Sequence, residues 1–170
     1  RLSAMINKIL DVEAIESKKI NINIEKVNLS SLLKEICKSF ALMASEKSID
    51  IVTQIDVKDA NVKLDKGYGT QIFENLISNA IKFSPRHSSV FVKILKNETD
   101  IICEIRDQGP GISDVDKKKL FLKYQKLSAK PTGNEGSTGL GLSIVKKYVE
   151  AMNGKIWCES EEGKGAGFFV

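Results

Sequence analysis

Gly136-Ser137-Thr138-Gly139-Leu140-Gly141-Leu142-Ser143-Ile144-Val145 is a glycine-punctuated loop that runs straight into an apolar helical repeat. Free backbone amides and the positive end of the helix dipole make such a junction an anion site. Ordinary loop flexibility is the competing reading. No Lys-Ser or Lys-Thr follows the glycines, so this is not a P-loop. Nor does the Gly-x-Gly open the first helix after a strand, as a dinucleotide fold requires. Two familiar phosphate-binding architectures are set aside, and the fold has to be built from the neighbouring sequence.

Downstream, the helix Leu140 to Met152 stops at Asn153-Gly154, a left-handed terminator. Strands over Lys155–Glu159 and Gly167–Val170 then flank a glycine turn. Upstream lie a loop rich in Gly, Ser, Thr and Lys (Leu127 to Thr138), and a short helix near Asp116 to Tyr124. Val90–Leu95 and Ile101–Ile105 are neighbouring strands joined by a polar turn. A long helix from about Lys66 to Phe83 ends at Ser84-Pro85, since proline disfavours helical geometry before it. Ile49–Ile55 and Val62–Leu64 are strands. Leu29, Leu32, Leu33, Ile36, Phe40 and Met43 make a helix capped by Asn28, Ser30 or Ser31. Ile20–Ile24 alternates as a half-buried strand, and Leu2 to Ser17 is an amphipathic helix whose stripe needs a partner. That partner is a second copy or another helix, or else its own domain. Interleaved helices and hairpins predict an α/β (α+β) two-layer sandwich. Its mixed, largely antiparallel sheet is covered on one face by three helices, with the amphipathic helix ahead of it.

Composition narrows the chemistry. The 170 residues carry a net charge of +4 without a basic block, which argues against nucleic acid and against membrane contact. A single histidine leaves Ser-His, Cys-His and resident metal sites little to work with. Cys37, Cys103 and Cys158 are too few and too far apart for a disulfide framework, so reduced thiols in a cytoplasmic protein are expected.

Two further segments carry polar chemistry. In Asn75-Leu76-Ile77-Ser78-Asn79-Ala80-Ile81-Lys82-Phe83-Ser84-Pro85, Asn75, Asn79 and Lys82 share one helix face. Two carboxamides and an ammonium suit a phosphate chain with a divalent cation, or else form a solvated stripe. Asp107-Gln108-Gly109-Pro110-Gly111-Ile112 follows a strand. Ionised Asp107 accepts hydrogen bonds only, as an exocyclic amine would require, and glycines let backbone approach a flat ring. Alone, it is also a simple strand-to-turn transition.

Taken in chain order, Asn75 to Pro85, Asp107 to Gly111 and Gly136 to Gly141 resemble the N, G1 and G2 boxes of the ATP-binding catalytic domain of sensor histidine kinases. That domain belongs to the gyrase–chaperone–kinase–MutL superfamily. Leu120-Phe121-Leu122-Lys123-Tyr124 is similar to its F box, with Tyr124 in place of the second aromatic. The resemblance implies a catalytic domain over residues 20–170: N box 71–85, G1 box 107–111, F box 120–124, lid 125–138 and G2 box 136–141. Residues 1–19 would end the second dimerisation and phosphoacceptor helix.

By the same resemblance, ATP and Mg²⁺ are the cofactors, and Asn79 coordinates the metal. Asn75, Lys82, Thr138, Gly139, Leu140 and Gly141 meet the phosphates. Asp107, Gly109, Gly111, Ile112 and Phe83 form the adenine pocket, and Ile112, Leu140, Leu142 and Ile144 are expected chiefly to pack. Lys126 and Lys130 are within phosphate reach or simply solvated. The implied activity is transfer of the γ-phosphoryl group to a histidine on the dimerisation helices of the same protein. A response regulator receiver domain would take it next, with a homodimer as the full-length state and a membrane anchor left open. No catalytic base is assigned in this chain, because Asn75 stands where hydrolysing members carry Glu. His87 lies in a turn and is read as a surface residue, not the acceptor. Two positions depart from the pattern: Gly167, where a Thr is expected to help hold a water beside Asp107, and Gly69 inside a helix. Gly167 supports the alternative, a nucleotide-sensing or scaffolding pseudokinase. An ATPase motor or chaperone is disfavoured by Asn75.

Overall fold

The computed structural model describes residues 21–125, 127–133 and 139–170. The expected helix over residues 1–19, Lys126 and Thr138 lie outside the described residues. Strand β1 (Glu25–Asn28) pairs antiparallel with β3 (Asn61–Leu64) in a two-stranded ribbon. Strands β2 (Asp50–Gln54), β4 (Ser89–Lys96), β5 (Ile101–Arg106), β6 (Trp157–Ser160) and β7 (Ala166–Phe169) make a five-stranded sheet of order β2-β4-β5-β7-β6. Only the β2–β4 pair in that sheet is parallel. Helices α1 (Leu29–Ser39), α3 (Lys66–Phe83) and α5 (Gly141–Ala151) cover the sheet, with α3 in contact with both others. Helices α2 (Ala41–Glu46) and α4 (Asp114–Lys117) are short. The two-layer mixed sandwich expected from the sequence is the observed architecture.

Periodicity explains the layers. Along α3, Ile72, Phe73, Leu76, Ile77, Ala80 and Ile81 are buried, one stripe at helical spacing. Along β4, Val90, Val92 and Ile94 are buried while the residues between them are not, the alternation of a sheet covered on one face. Asp65 caps α3 by accepting a bond from the Tyr68 amide at 3.0 Å. Ser84-Pro85 ends it as expected, Ser84 turning to an extended conformation. Gly69 is buried in α3 beside Leu64, whose Cδ1 would have to move from the 2.7 Å approach of an added Cβ. No helix among the described residues is long and apolar enough to cross a membrane.

Three local expectations change. The alternation Ile20–Ile24 does not give the strand: residues 21–24 are irregular, Ile24 is exposed, and pairing starts at Glu25. Its partner β3 is only four residues long, and Glu25 already pairs with Leu64 at its end. The helix expected through Met43 breaks at Phe40, which closes α1 and opens α2, while Asn28 supplies the cap with its side chain on the Ser31 amide. The short helix starts earlier than expected, at Asp114 under a Ser113 cap, and is only one turn long. Beyond it the chain turns so that Leu120 enters the core, and Tyr124 adopts a left-handed φ of 57°.

Candidate nucleotide-binding site

The polar face of α3, the strand end at Asp107 and the start of α5 converge on one cavity of about 410 Å³. Asn75, Asn79, Lys82 and Phe83 line it from α3. Asn75 Nδ2 donates to Gln71 O within its own helix at 2.8 Å. Its Oδ1 faces α5, 3.1 Å from where a Cβ on Gly141 would sit. The amide oxygen therefore occupies the gap that glycine leaves. Asn79 makes no side-chain hydrogen bond with a described residue, so both its donor and its acceptor are available to the cavity. Glu74 is not in the wall, as its position around the helix predicts.

Asp107 lies at the end of β5, 6% exposed. Its Oδ1 accepts from the Gly109 amide at 2.8 Å and the Ala166 amide at 3.1 Å. Its Oδ2 makes no hydrogen bond with a described residue, and the side chain opens on the cavity. Burial pushes its carboxyl above the usual carboxylate range, opposed by those two amides and by the charge of Arg106. One oxygen is fixed by backbone and the other is left for a ligand.

The glycines around it are steric requirements. A Cβ on Gly109 would lie 2.7 Å from Phe83 O and 2.9 Å from Asp107 Oδ1. Gly109 therefore sits behind Asp107 and does not line the cavity, whereas Gly111 does, at φ 72°. Ile112 lines the cavity as well as packing. On the far wall, Gly139 and Gly141 line the cavity at the start of α5, whose N-cap Leu140 makes no side-chain cap bond. The first-turn amides are thus not engaged by a cap, the arrangement that favours an anion. Leu140 itself is buried and does not line the cavity, while Leu142 does and does not merely pack. Lys130 also reaches the rim. His87 is exposed on the turn after α3. Among the described residues no group of three or more His, Cys, Asp or Glu could hold a metal. The uncommitted Asn79 amide oxygen on the cavity wall is the kind of single protein ligand that suits Mg²⁺, which keeps several waters and leans on substrate phosphates.

The expectation about Gly167 is corrected. Alternation along β7 turns Ala166 and Phe168 to the cavity and Gly167 to the opposite face of the sheet. A Cβ on Gly167 would meet the Arg106 guanidinium at 2.8 Å. A hydroxyl there would not reach Asp107. The residue beside that carboxylate is Ala166. Sequence reading also missed Ala166 and Phe168 as wall residues, and singled out Leu120 only within the F box and Leu127, Ala129 and Pro131 only within the lid range 125–138. Parity along β7 was a usable signal for Ala166 and Phe168; the loop residues carried none.

Residues 66–170 match the family described as histidine kinase-, DNA gyrase B- and HSP90-like ATPases. The sensor histidine kinase WalK of Bacillus subtilis is 32% identical over 167 residues, covering 97% of this chain and 27% of that protein. The chain thus spans about a quarter of that relative's length. The catalytic domain of histidine kinase ThkA superposes with a TM-score of 0.75 at 28% identity, covering 86% of this chain and 93% of that one. Full-length ShkA, solved in complex with AMPPNP, gives a TM-score of 0.83 at 24% identity, over 99% of this chain and 35% of that one, a likeness of fold. ThkA has also been solved in complex with the response regulator TrrA, with a TM-score of 0.73 at 24% identity, over 98% of this chain and 48% of that one. With this geometry and these relatives, the chain belongs to the histidine kinase-, DNA gyrase B- and HSP90-like ATPase family, as an ATP-binding catalytic domain of the sensor histidine kinase type.

Proposed function

We propose that the cavity binds Mg-ATP and that the chain donates its γ-phosphoryl group to a histidine on a dimerisation helix of the same protein, for relay to a response regulator receiver domain. The observation that carries the reading is Asp107: one oxygen locked by two backbone amides, the other presented to a cleft between a carboxamide-bearing helix and an uncapped helix start. In this reading Asp107 Oδ2 accepts from the exocyclic amine of adenine, and Phe83 and Ile112 flank the ring. Gly109 and Gly111 hold the backbone close. Asn75, Lys82 and the amides around Gly139, Leu140 and Gly141 receive phosphate oxygens, with Thr138 assigned beside them. Asn79 offers its amide oxygen to Mg²⁺, which when bound neutralises phosphate charge. Residues 125–138 serve as the lid, within a catalytic domain of residues 20–170 that follows a dimerisation helix ending near residue 19.

Transfer to an external nucleophile fits better than hydrolysis. The amide of Asn75 cannot take a proton from water near neutral pH, and Glu74 is outside the cavity wall. Phosphoryl transfer asks the protein mainly for positioning and charge stabilisation, which this wall supplies. A response-regulator complex of the neighbour ThkA supports the relay step. The pseudokinase alternative rested on Gly167, which faces away from the site.

Calorimetry with a Mg-bound, non-hydrolysable ATP analogue tests the binding step. Binding that weakens at least about tenfold in Asn79→Ala and Asp107→Asn is the expected result. Binding indifferent to both substitutions, or none at all in the parent, would sink the proposal. With Mg-ATP in place of the analogue and the dimerisation helices added, nucleotide bound without phosphohistidine would sink the transfer step alone.

A further inference from the structure

A lysine is buried behind the cavity wall. Lys47 closes α2 and is 8% exposed. An ammonium is costly to bury unless hydrogen-bonded. Lys47 Nζ donates to Ile81 O at 2.8 Å and Lys82 O at 3.0 Å. Both carbonyls belong to the last turn of α3, where helix carbonyls lack intrahelical donors and the dipole end is negative. The same Nζ donates to Thr132 Oγ1 at 2.8 Å. Thr132 is fastened to that helix end twice more, its amide donating to Lys82 O at 3.0 Å and its hydroxyl to Ser84 O at 2.6 Å. Residues on both sides of this knot line the cavity: Lys82 and Phe83 on α3, and Ala129, Lys130 and Pro131 just before Thr132.

We propose that Lys47 is a positioning residue for nucleotide binding: its ammonium clamps Thr132, and with it the Ala129–Pro131 wall, to the C-terminal end of α3. The inference rests on the nucleotide reading of the cavity. Lys47 does not touch the cavity and acts through Thr132 and the two carbonyls. A charge-assisted hydrogen bond to a partly buried hydroxyl is worth about tenfold in an equilibrium. Without it, the wall samples positions in which the cleft is open on one side, and ligand affinity falls by the fraction of time it does so.

The test uses Lys47→Met, Thr132→Val, Thr132→Ser and the double variant Lys47→Met/Thr132→Val. Thr132 is exposed, so Thr132→Val keeps the shape and the fold while losing the hydroxyl. Hydrogen exchange of the Thr132 amide, in protein without nucleotide, reads the clamp directly. Calorimetric affinity for the Mg-bound ATP analogue reads its consequence, and the thermal midpoint reports folding. Expected in Lys47→Met and in Thr132→Val are faster exchange and weaker affinity, the two fold-changes multiplying to about ten. Thr132→Ser should behave as the parent, and the double variant should hold Thr132 no worse than Thr132→Val, which already lacks the bonds to Lys47 and Ser84. A Thr132→Val protein that exchanges and binds like the parent overturns the clamp. So does a Lys47→Met protein whose affinity falls only in step with its thermal midpoint while the Thr132 amide stays protected. A parent that binds no nucleotide instead overturns the reading of the cavity, a result distinct from either.

Discussion

Asp107 shows how one side chain is divided between structure and ligand. An asparagine there keeps an oxygen for the Gly109 and Ala166 amides and removes a buried charge. Because the folded carboxyl titrates above its ordinary 3.8, the folded state holds the proton more tightly. Its contribution to stability is therefore full at low pH and is lost as pH rises from 3.8 through the raised value. Asp107→Asn is expected to bind nucleotide at least about tenfold more weakly. Its melting temperature at pH 7 should match or exceed the parent's, with the difference vanishing in acid. A fall at pH 7 would mean that the carboxylate's charge, not its geometry, holds the loop. Asp107 was legible in the sequence as an acid before two glycines, and Asn75 and Asn79 as residues on one helix face. Lys47 was not, because its acceptors lie 34, 35 and 85 residues away and nothing local announces them. The weight given to Gly167 failed for a simpler reason, since the parity of β7 puts its neighbour Ala166 beside the acid.

At the scale of elements, caps and turns carry the testable content. Burial acts to raise the Asp65 carboxyl, but amide bonds from Tyr68, Asn23 and Gly67 together hold it below its usual 3.8. The cap contributes stability above that pH and loses it as pH falls through the lowered value. Asp65→Ala should cost about 1 kcal/mol at pH 7 in denaturant titrations and progressively less in acid. In the β6–β7 turn, Gly163 and Gly165 both have positive φ, but only one is crowded. A Cβ on Gly163 meets nothing within 4 Å, whereas on Gly165 it would lie 2.1 Å from Asp107 O. Gly163→Ala should lose about 1–2 kcal/mol of stability and bind normally. Gly165→Ala should lose more and also displace Asp107, so nucleotide affinity separates the two. Long elements with a clean stripe, such as α3, were readable to the residue. The strand expected at Ile20–Ile24 was not, because alternation says a face is apolar and cannot say whether a partner strand is long enough to reach it.

For the whole molecule, thiols and ligand report on the same cooperative unit. Cys37 and Cys103 are buried and Cys158 is partly so. Burial pushes Cys37 up to about 11 and Cys158 up to about 12, with Cys103 raised too. Thiolate is the reactive form, so a thiol reagent at neutral pH should modify the folded domain slowly and all three sites together on unfolding. Rapid modification of a single site would reveal a local opening. A ligand confined to the folded state stabilises it by about 2.7 kcal/mol at a hundredfold excess over its dissociation constant. The parent should therefore melt about 5–10 °C higher with the Mg-ATP analogue, and Asp107→Asn about half as much or less at the same ligand concentration.

The place of β7 has a consequence for biosynthesis. This strand comes after the other six in sequence yet lies inside the sheet, between β5 and β6. Its first residue, Ala166, supplies one of the two amides that hold Asp107. A ribosome adding about 5–20 residues per second thus builds the helices and the β4–β5 hairpin well before the strand that inserts beside them. Until Ala166 has left the exit tunnel, the sheet has an open interior edge and Asp107 lacks half its support. Nascent chains stalled before and after that point should differ sharply in retention on immobilised ATP. Retention of the longer chains alone would place nucleotide competence after β7 has joined the sheet.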